Sequence, residues 1–144
     1  MTKILYDTDF YAWLQRQALL LKNEDFAELD LPNLIEEIEG MARSDRRALI
    51  NRLRVLLTHL LKLSYEPEAP SVRGWKATIK EQRMRIKALL ADSPSLSVHL
   101  PDFIQSTYLD ARELAADAAA ASVADFPTHC PWTLEQILDT RWLP

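Results

Sequence analysis

Five basic side chains stand at helical spacing in the middle of the chain, and a row of this kind is suited to binding anions. At about 100° per residue, all five fall within an arc of roughly 80° on one helix. They are Arg73, Lys76, Lys80, Arg83 and Lys87. Such a row binds the phosphates of a nucleic acid or the carboxylates of an acidic partner. We take these residues as a candidate anion-binding site, the basic stripe.

The helix predicted after it carries acidic residues on one edge, which gives the basic stripe a second interpretation. These are Asp102, Asp110, Glu113 and Asp117. Two stripes of opposite sign neutralise each other across a helix–helix contact, or both are simply solvated. The net charge of −4 favours this interpretation, because sequence-independent nucleic-acid binding usually belongs to a basic domain. Nucleic acid is therefore the less favoured partner.

Charge is unevenly distributed along the whole chain. Residues 7–39 hold nine acidic and two basic side chains, for a net charge of −7. Residues 43–87 hold four acidic and twelve basic ones, for +8, and residues 88–144 hold eight acidic and two basic ones, for −6. This segregation by itself identifies no ligand.

Arg54 and His59 are similar in spacing to the loose motif of the HEPN ribonucleases, which are also helical bundles. In those enzymes the histidine acts as acid or base and the arginine stabilises the phosphate. On a regular helix these two side chains lie about 140° apart, so one face of a monomer does not present both. A metal-independent ribonuclease would have to pair them across a dimer. The favoured interpretation of His59 is a partly buried, hydrogen-bonded side chain.

Two further groups contain metal-binding residue types, but neither has the spacing of a known site. His129 and Cys130 would supply two zinc ligands, and no second pair stands elsewhere at ligand spacing. Glu36, Glu37 and Glu39 resemble the carboxylate-rich helices of di-iron bundles, which also need a Glu-x-x-His motif. No Gly-x-Ser-x-Gly nucleophile motif occurs. The sequence thus predicts no catalytic residue, no metal and no cofactor.

Apolar periodicity and capping signals predict the helices that position these residues. The first predicted helix covers residues 8–22, and the longest opens at residues 30–32, with Asp30 as cap and Pro32 in its first turn, and reaches about Tyr65. Further helices are predicted over residues 72–91, in a short segment after Ser93, in a longer one reaching residue 123, and after a Thr133–Gln136 capping box. The polar run 43–47 could divide the longest helix in two. Its second half has the clearest apolar arc, formed by Leu49, Ile50, Leu53, Leu56, Leu57, Leu60 and Leu61. The fold class predicted is an all-α bundle of four to six helices.

Length and composition set the remaining expectations. The 144 residues fit one helical domain, residues 1–144. Two glycines are too few for a turn-rich β architecture or a phosphate-binding loop. The single cysteine, Cys130, is typical of a reducing compartment, and no apolar run approaches the roughly 18 residues of a membrane helix. The opening residues lack a secretion signal, so we predict a cytoplasmic protein with no membrane partner.

Several motifs in a consistent order resemble one bacterial family. The opening has the form Tyr-Asp-x-Asp-Phe-x-x-Trp, and the other motifs are residues 56–62, 75–79, 82–83, 93–96, 111–112 and 126–132. Together they resemble the bacterial domain-of-unknown-function family 29 over nearly the whole chain. The resemblance implies a stand-alone helical domain in the bacterial cytoplasm and carries no established activity. Such motifs often maintain packing and caps, so they are not thereby catalytic.

The functional prediction is a non-enzymatic helical interaction or regulatory module with an unidentified protein partner. It depends on the basic stripe and on the lack of a catalytic constellation. Self-association is a further expectation, because the longest helix is apolar on one broad arc. The alternatives are a nucleic-acid-binding protein and a HEPN-like metal-independent ribonuclease.

Overall fold

Helices account for all the regular structure between residues 2 and 144, the part of the chain that the structure describes, with side chains described from residue 5 onward. In this computed structural model the six α-helices are α1 (Thr2–Thr8), α2 (Phe10–Lys22), α3 (Leu31–Tyr65), α4 (Val72–Asp92), α5 (Leu100–Ala118) and α6 (Leu134–Leu138). Short 3₁₀ turns cover Phe26–Glu28, Pro94–His99 and Val123–Asp125. No strand occurs in that range, and the predicted all-α class is confirmed. None of its helices is both long and apolar enough to cross a membrane.

Capping side chains explain where two of the helices begin. The carboxylate of Asp9 accepts a hydrogen bond from the Ala12 N–H at 3.0 Å and starts α2. The helix predicted over residues 8–22 is therefore confirmed as α2, which begins two residues later, and α1 is an additional helix that was not predicted. Before α6, Thr133 and Gln136 exchange side-chain-to-backbone hydrogen bonds of 3.2 Å and 2.9 Å, which confirms the predicted capping box.

The longest helix is a single element, and α5 is shorter than predicted. Between Leu31 and Tyr65 the helix continues through the polar run at residues 43–47 without a break. The end of α5 lies at Ala118 rather than near residue 123. Ala120 has a φ of 51°, in the left-handed region, which no α-helical residue adopts. The chain then turns into the segment that leads to α6.

The chain divides into two compact units, Met1–Ser44 and Asp45–Pro144, with the division inside α3. The expectation of one domain over residues 1–144 stays a prediction. In the first unit the indole of Trp13 is fully buried and donates to the Asp30 carboxylate at 3.0 Å. The Tyr6 ring packs edge-on against Trp13, with centroids 4.8 Å apart. The Asp30 N–H in turn donates to the side-chain oxygen of Gln17 at 2.9 Å. A few aromatic and polar contacts therefore organise this unit.

The second unit has an extensive apolar core centred on the leucine arc of α3. Leu49, Leu53, Leu56, Leu57 and Leu60 are fully inaccessible to solvent. The core is completed by side chains from α4, α5, α6 and the connecting segments: Ile79, Ile86, Leu100, Ile104, Tyr108, Ala111, Ala115, Ala116, Phe126 and Ile137. The alanines of α5 are small enough to let another helix approach closely. Because α4 and α5 pack on this arc with one face each, only their other faces are accessible to solvent.

Candidate functional site

The basic stripe lies on α4, and four of its five members are exposed. Arg73, Lys76, Lys80 and Lys87 are open to solvent and fall within an arc of about 60°. Within residues 5–144, none of these four side chains forms an ion pair or a hydrogen bond. The positive charge on this face of α4 is therefore not compensated by direct contacts.

Arg83 is the exception, because its side chain is only 3% exposed. Its guanidinium donates three hydrogen bonds to backbone carbonyls: Nε to Ile137 at 2.8 Å, Nη1 to Trp142 at 2.8 Å and Nη2 to Gln136 at 3.2 Å. Burial lowers the pKa of Arg83, and the nearby Asp139 carboxylate opposes that shift. The placement of Arg83 on the exposed stripe is therefore corrected: this residue anchors α6 and the C-terminal segment.

The physical reason lies in the position of Arg83 on the helix. It follows Ile79 by four residues and precedes Ile86 by three, and both isoleucines are buried. Residues at these spacings share one face of an α-helix. The basic stripe borders the apolar face of α4, and Arg83 is the member of the stripe that lies on that face. It is therefore buried, and the carbonyls of the C-terminal segment accept its hydrogen bonds.

No direct ion pair between α4 and α5 neutralises their opposite charges among residues 5–144. Asp102, Asp110, Glu113 and Asp117 are all exposed on α5. No ion pair among residues 5–144 joins them to α4, whose one ion pair in that range is Arg85–Glu81 at 3.1 Å on its own surface. The two helices therefore carry opposite charges that both face solvent.

His59 is half-buried on α3, and its Nδ1 lies 2.8 Å from the Val55 carbonyl oxygen. A carbonyl only accepts, so Nδ1 carries the proton of the neutral ring. Burial lowers the pKa of His59, opposed by the Val55 hydrogen bond. Arg54 donates to the Asn51 side chain at 2.7 Å. The interpretation of His59 as a partly buried, hydrogen-bonded residue is confirmed.

His129 and Cys130 lie in the connection between α5 and α6. Cys130 is half-buried, with its Sγ 3.7 Å from the Trp132 carbonyl oxygen. Burial raises the pKa of the Cys130 thiol, which keeps it protonated. Among the residues that the structure describes, no group of three or more His, Cys, Asp and Glu side chains is arranged to hold a metal ion.

Two of the three glutamates near the start of α3 share a partner, and the third has a different one. Glu36 and Glu39 form exposed ion pairs with Arg43, at 3.1 Å and 3.9 Å. Glu37 accepts a hydrogen bond from the Tyr6 hydroxyl, and this bond raises the pKa of Tyr6 to about 12. Two carboxylates therefore meet one guanidinium and the third faces a tyrosine, so the three form no shared metal site.

The first half of α3 carries an exposed apolar row that the sequence analysis did not single out. Leu31, Ile35, Ile38 and Met41 are between 52% and 64% exposed. Their spacing of four, three and three residues is typical of one helix face. The leucine arc, which was the basis for expecting self-association, is instead buried. The signal for the row was present in the sequence, since its periodicity equals that of the arc.

The chain belongs to the family described as domain of unknown function DUF29, whose sequence pattern it matches over residues 5–143. The resemblance noted from the motifs is thereby confirmed. No curated protein matches the chain. No solved structure matches it either.

Replacement of the buried arginine tests its structural role. We expect Arg83→Met to lower the free energy of unfolding by about 3 kcal/mol, because one buried and two part-buried carbonyls lose their donor. Urea denaturation followed by circular dichroism measures this change. Arg85→Met is the matched control on the same helix, and loss of its exposed ion pair should cost less than about 1 kcal/mol. Equal losses for the two variants would contradict the anchoring role.

The burial of His59 predicts a specific pH dependence of stability. Its pKa is about 6.5 when unfolded and lower when folded. As the pH falls from 6.5 towards the folded-state value, the unfolded chain takes up the proton first, so stability decreases. Above this window the effect is absent. Urea denaturation of wild type and His59→Asn from pH 5 to 7.5 should show this loss in wild type alone. A His59 ring that titrates at or above 6.5 by NMR would contradict it.

Proposed function

We propose that this DUF29 family member is a non-enzymatic interaction module that binds a partner helix with an apolar face and basic flanks. The observation that carries the proposal is the exposed apolar row Leu31, Ile35, Ile38 and Met41. As part of the same proposal we place the module in the cytoplasm. Support for that location comes from the single cysteine, Cys130, which leaves no internal disulfide to form.

The four side chains of the row lie close enough together on α3 for a single partner helix to bury them. They span an arc of about 120°, and the half-buried Leu34 lies within the same arc. Leu31, Leu34, Ile38 and Met41 also alternate by three and four residues, the spacing of a coiled-coil seam. Covering an apolar side chain that is already half-buried gains about 1 kcal/mol. Four such side chains together gain about 4 kcal/mol, so a stable complex also depends on further contacts and on charge complementarity.

Charge determines which kind of helix fits the row. Residues 1–44 hold nine acidic and four basic side chains, for a net charge of −5. Glu36 and Glu39 are exposed on α3, paired only with Arg43 across solvent-accessible contacts. A helix with lysines or arginines beside its apolar face complements this surface. A second copy of the same row would bring like charges together, which favours a different protein as partner.

A designed peptide tests the proposed chemistry directly. The probe is a helix about three heptads long, with leucine at positions a and d and lysine at e and g. We expect it to bind, more weakly as salt is added, and Ile38→Glu to weaken binding at least about tenfold. Fluorescence anisotropy of the labelled peptide measures both effects.

The matched control variant is Met84→Glu, which changes an apolar side chain of similar exposure, 59%, on α4. It should leave peptide affinity unchanged. A peptide with glutamate at e and g should bind far more weakly than the lysine peptide. The proposal fails if both peptides bind equally, or if Ile38→Glu and Met84→Glu behave alike. A dimer of the chain that Ile38→Glu dissociates, seen by sedimentation, would replace the partner with a second copy.

The uncompensated cations of α4 favour nucleic-acid binding as a second candidate function. Four exposed basic residues within about 60° form a row that a phosphate backbone could follow.

Charge reversal tests this candidate with a duplex DNA of about 20 base pairs as the probe. Reversal at two positions, Lys76→Glu with Lys80→Glu, should abolish most binding and reduce the salt slope by about two. The double reversal Arg46→Glu with Arg47→Glu changes the net charge equally on an exposed part of α3 and serves as control. Binding that is absent in wild type, or reduced equally by both double variants, excludes this candidate.

A further inference from the structure

A cavity of about 460 Å³ lies between α5 and the segment that follows it towards α6. Side chains of α5 form one wall, among them Ile104, Tyr108, Leu109 and Arg112. The opposite wall is residues 128–130 of the connection. Volumes between about 300 and 1,000 Å³ are typical of sites for small organic molecules. The cavity lies wholly within the second unit, Asp45–Pro144.

The chemistry of the walls is apolar with one fixed positive charge. Burial raises the pKa of both the Tyr108 hydroxyl and the Cys130 thiol, so both side chains are neutral at pH 7. Arg112 is permanently charged and lies in the wall at partial burial. Within residues 5–144 it forms no ion pair. A cation beside an apolar wall without a carboxylate attracts an anion.

The backbone holds Arg112 in a defined orientation. Its Nε and Nη2 donate to the Phe126 carbonyl oxygen at 3.3 Å and 3.0 Å. These two bonds use one edge of the guanidinium and leave the Nη1 donors and one Nη2 donor for another acceptor. The Tyr108 hydroxyl donates to the next carbonyl, that of Pro127, at 2.6 Å. A guanidinium fixed in this way binds a carboxylate with little further loss of conformational freedom.

We propose that this cavity binds a small organic carboxylate with an apolar tail. The carboxylate pairs with the guanidinium of Arg112, and the tail packs against Pro101, Ile104 and Leu109. Gln105 and Thr128, which also line the cavity, supply polar groups at its exposed side. The site is separate from the apolar row of α3 and does not depend on the interaction proposed for that row.

The experiment uses octanoate as the probe, kept below its micelle-forming concentration, with the intact chain. Titration followed by backbone NMR should shift the amide signals of residues 105, 109, 112 and 128–130 in a saturable manner. Octan-1-ol has a similar tail without the charge, and it should bind at least about tenfold more weakly.

Two variants on α5 distinguish octanoate binding in this cavity from nonspecific binding to apolar surface. Leu109, which lines the cavity, is 56% exposed, and Leu114, which does not, is 47% exposed. Leu109→Glu places a negative charge in the wall that packs the tail, one helical turn from Arg112, and should weaken octanoate binding about tenfold. Leu114→Glu adds the same charge elsewhere on the helix and should leave the affinity unchanged. Because both positions are exposed, both variants are expected to fold.

A third variant tests the guanidinium itself. We expect Arg112→Gln to abolish octanoate binding, with circular dichroism and the melting temperature reporting whether the fold is retained. If Arg112→Gln does not fold, the comparison between Leu109→Glu and Leu114→Glu still decides whether octanoate binds in this cavity. Equal affinity in those two variants overturns the proposal. So does octan-1-ol binding as tight as octanoate, or octanoate shifts confined to residues 31–41.

Discussion

The leucine arc of α3 is the constraint on which the second unit depends. Leu49, Leu53, Leu56 and Leu57 are fully buried, and the apolar faces of α4 and α5 join the same core. Each helix that packs on this arc loses one face to the interior. The features of these helices that stay accessible are those that do not face the core. They are the cations of α4, the acidic edge of α5, and the cavity that α5 forms with the following connection.

The burial of Arg83 shows how a charged side chain can be part of such a core. Moving a guanidinium out of water is costly unless its donors find acceptors. Three carbonyls from residues 136, 137 and 142 meet that need and connect α4 to the last part of the chain. From the sequence, Arg83 could not be distinguished from Lys80 or Lys87, because periodicity gives an angle on the helix but not the position of distant carbonyls. Four of the five members of the basic stripe are thus exposed, and its role in anion binding stays a prediction.

Local signals predicted the helices better than the surfaces. The capping box at Thr133 and the apolar periodicity around Leu56 depend on neighbouring residues, so the sequence contains them in full. The left-handed conformation of Ala120 was indicated by no pattern, whereas the start of α2 after Asp9 lies within two residues of the predicted start. The same limit applies to the apolar row at Ile38. Its periodicity equals that of the buried arc, and only the packing of the chain reveals which of the two is covered.

Direct ion pairs do little to balance the segregated charge. Among residues 5–144 the structure has three such contacts, formed by Arg43 with Glu36 and Glu39 and by Arg85 with Glu81. All are exposed and close in sequence, so they contribute little to stability. Charges separated by more than about 8 Å are largely screened at physiological salt. The four exposed cations of the basic stripe therefore have no direct ion pair among residues 5–144, and in the function that we propose the carboxylates beside the apolar row favour a partner with basic flanks.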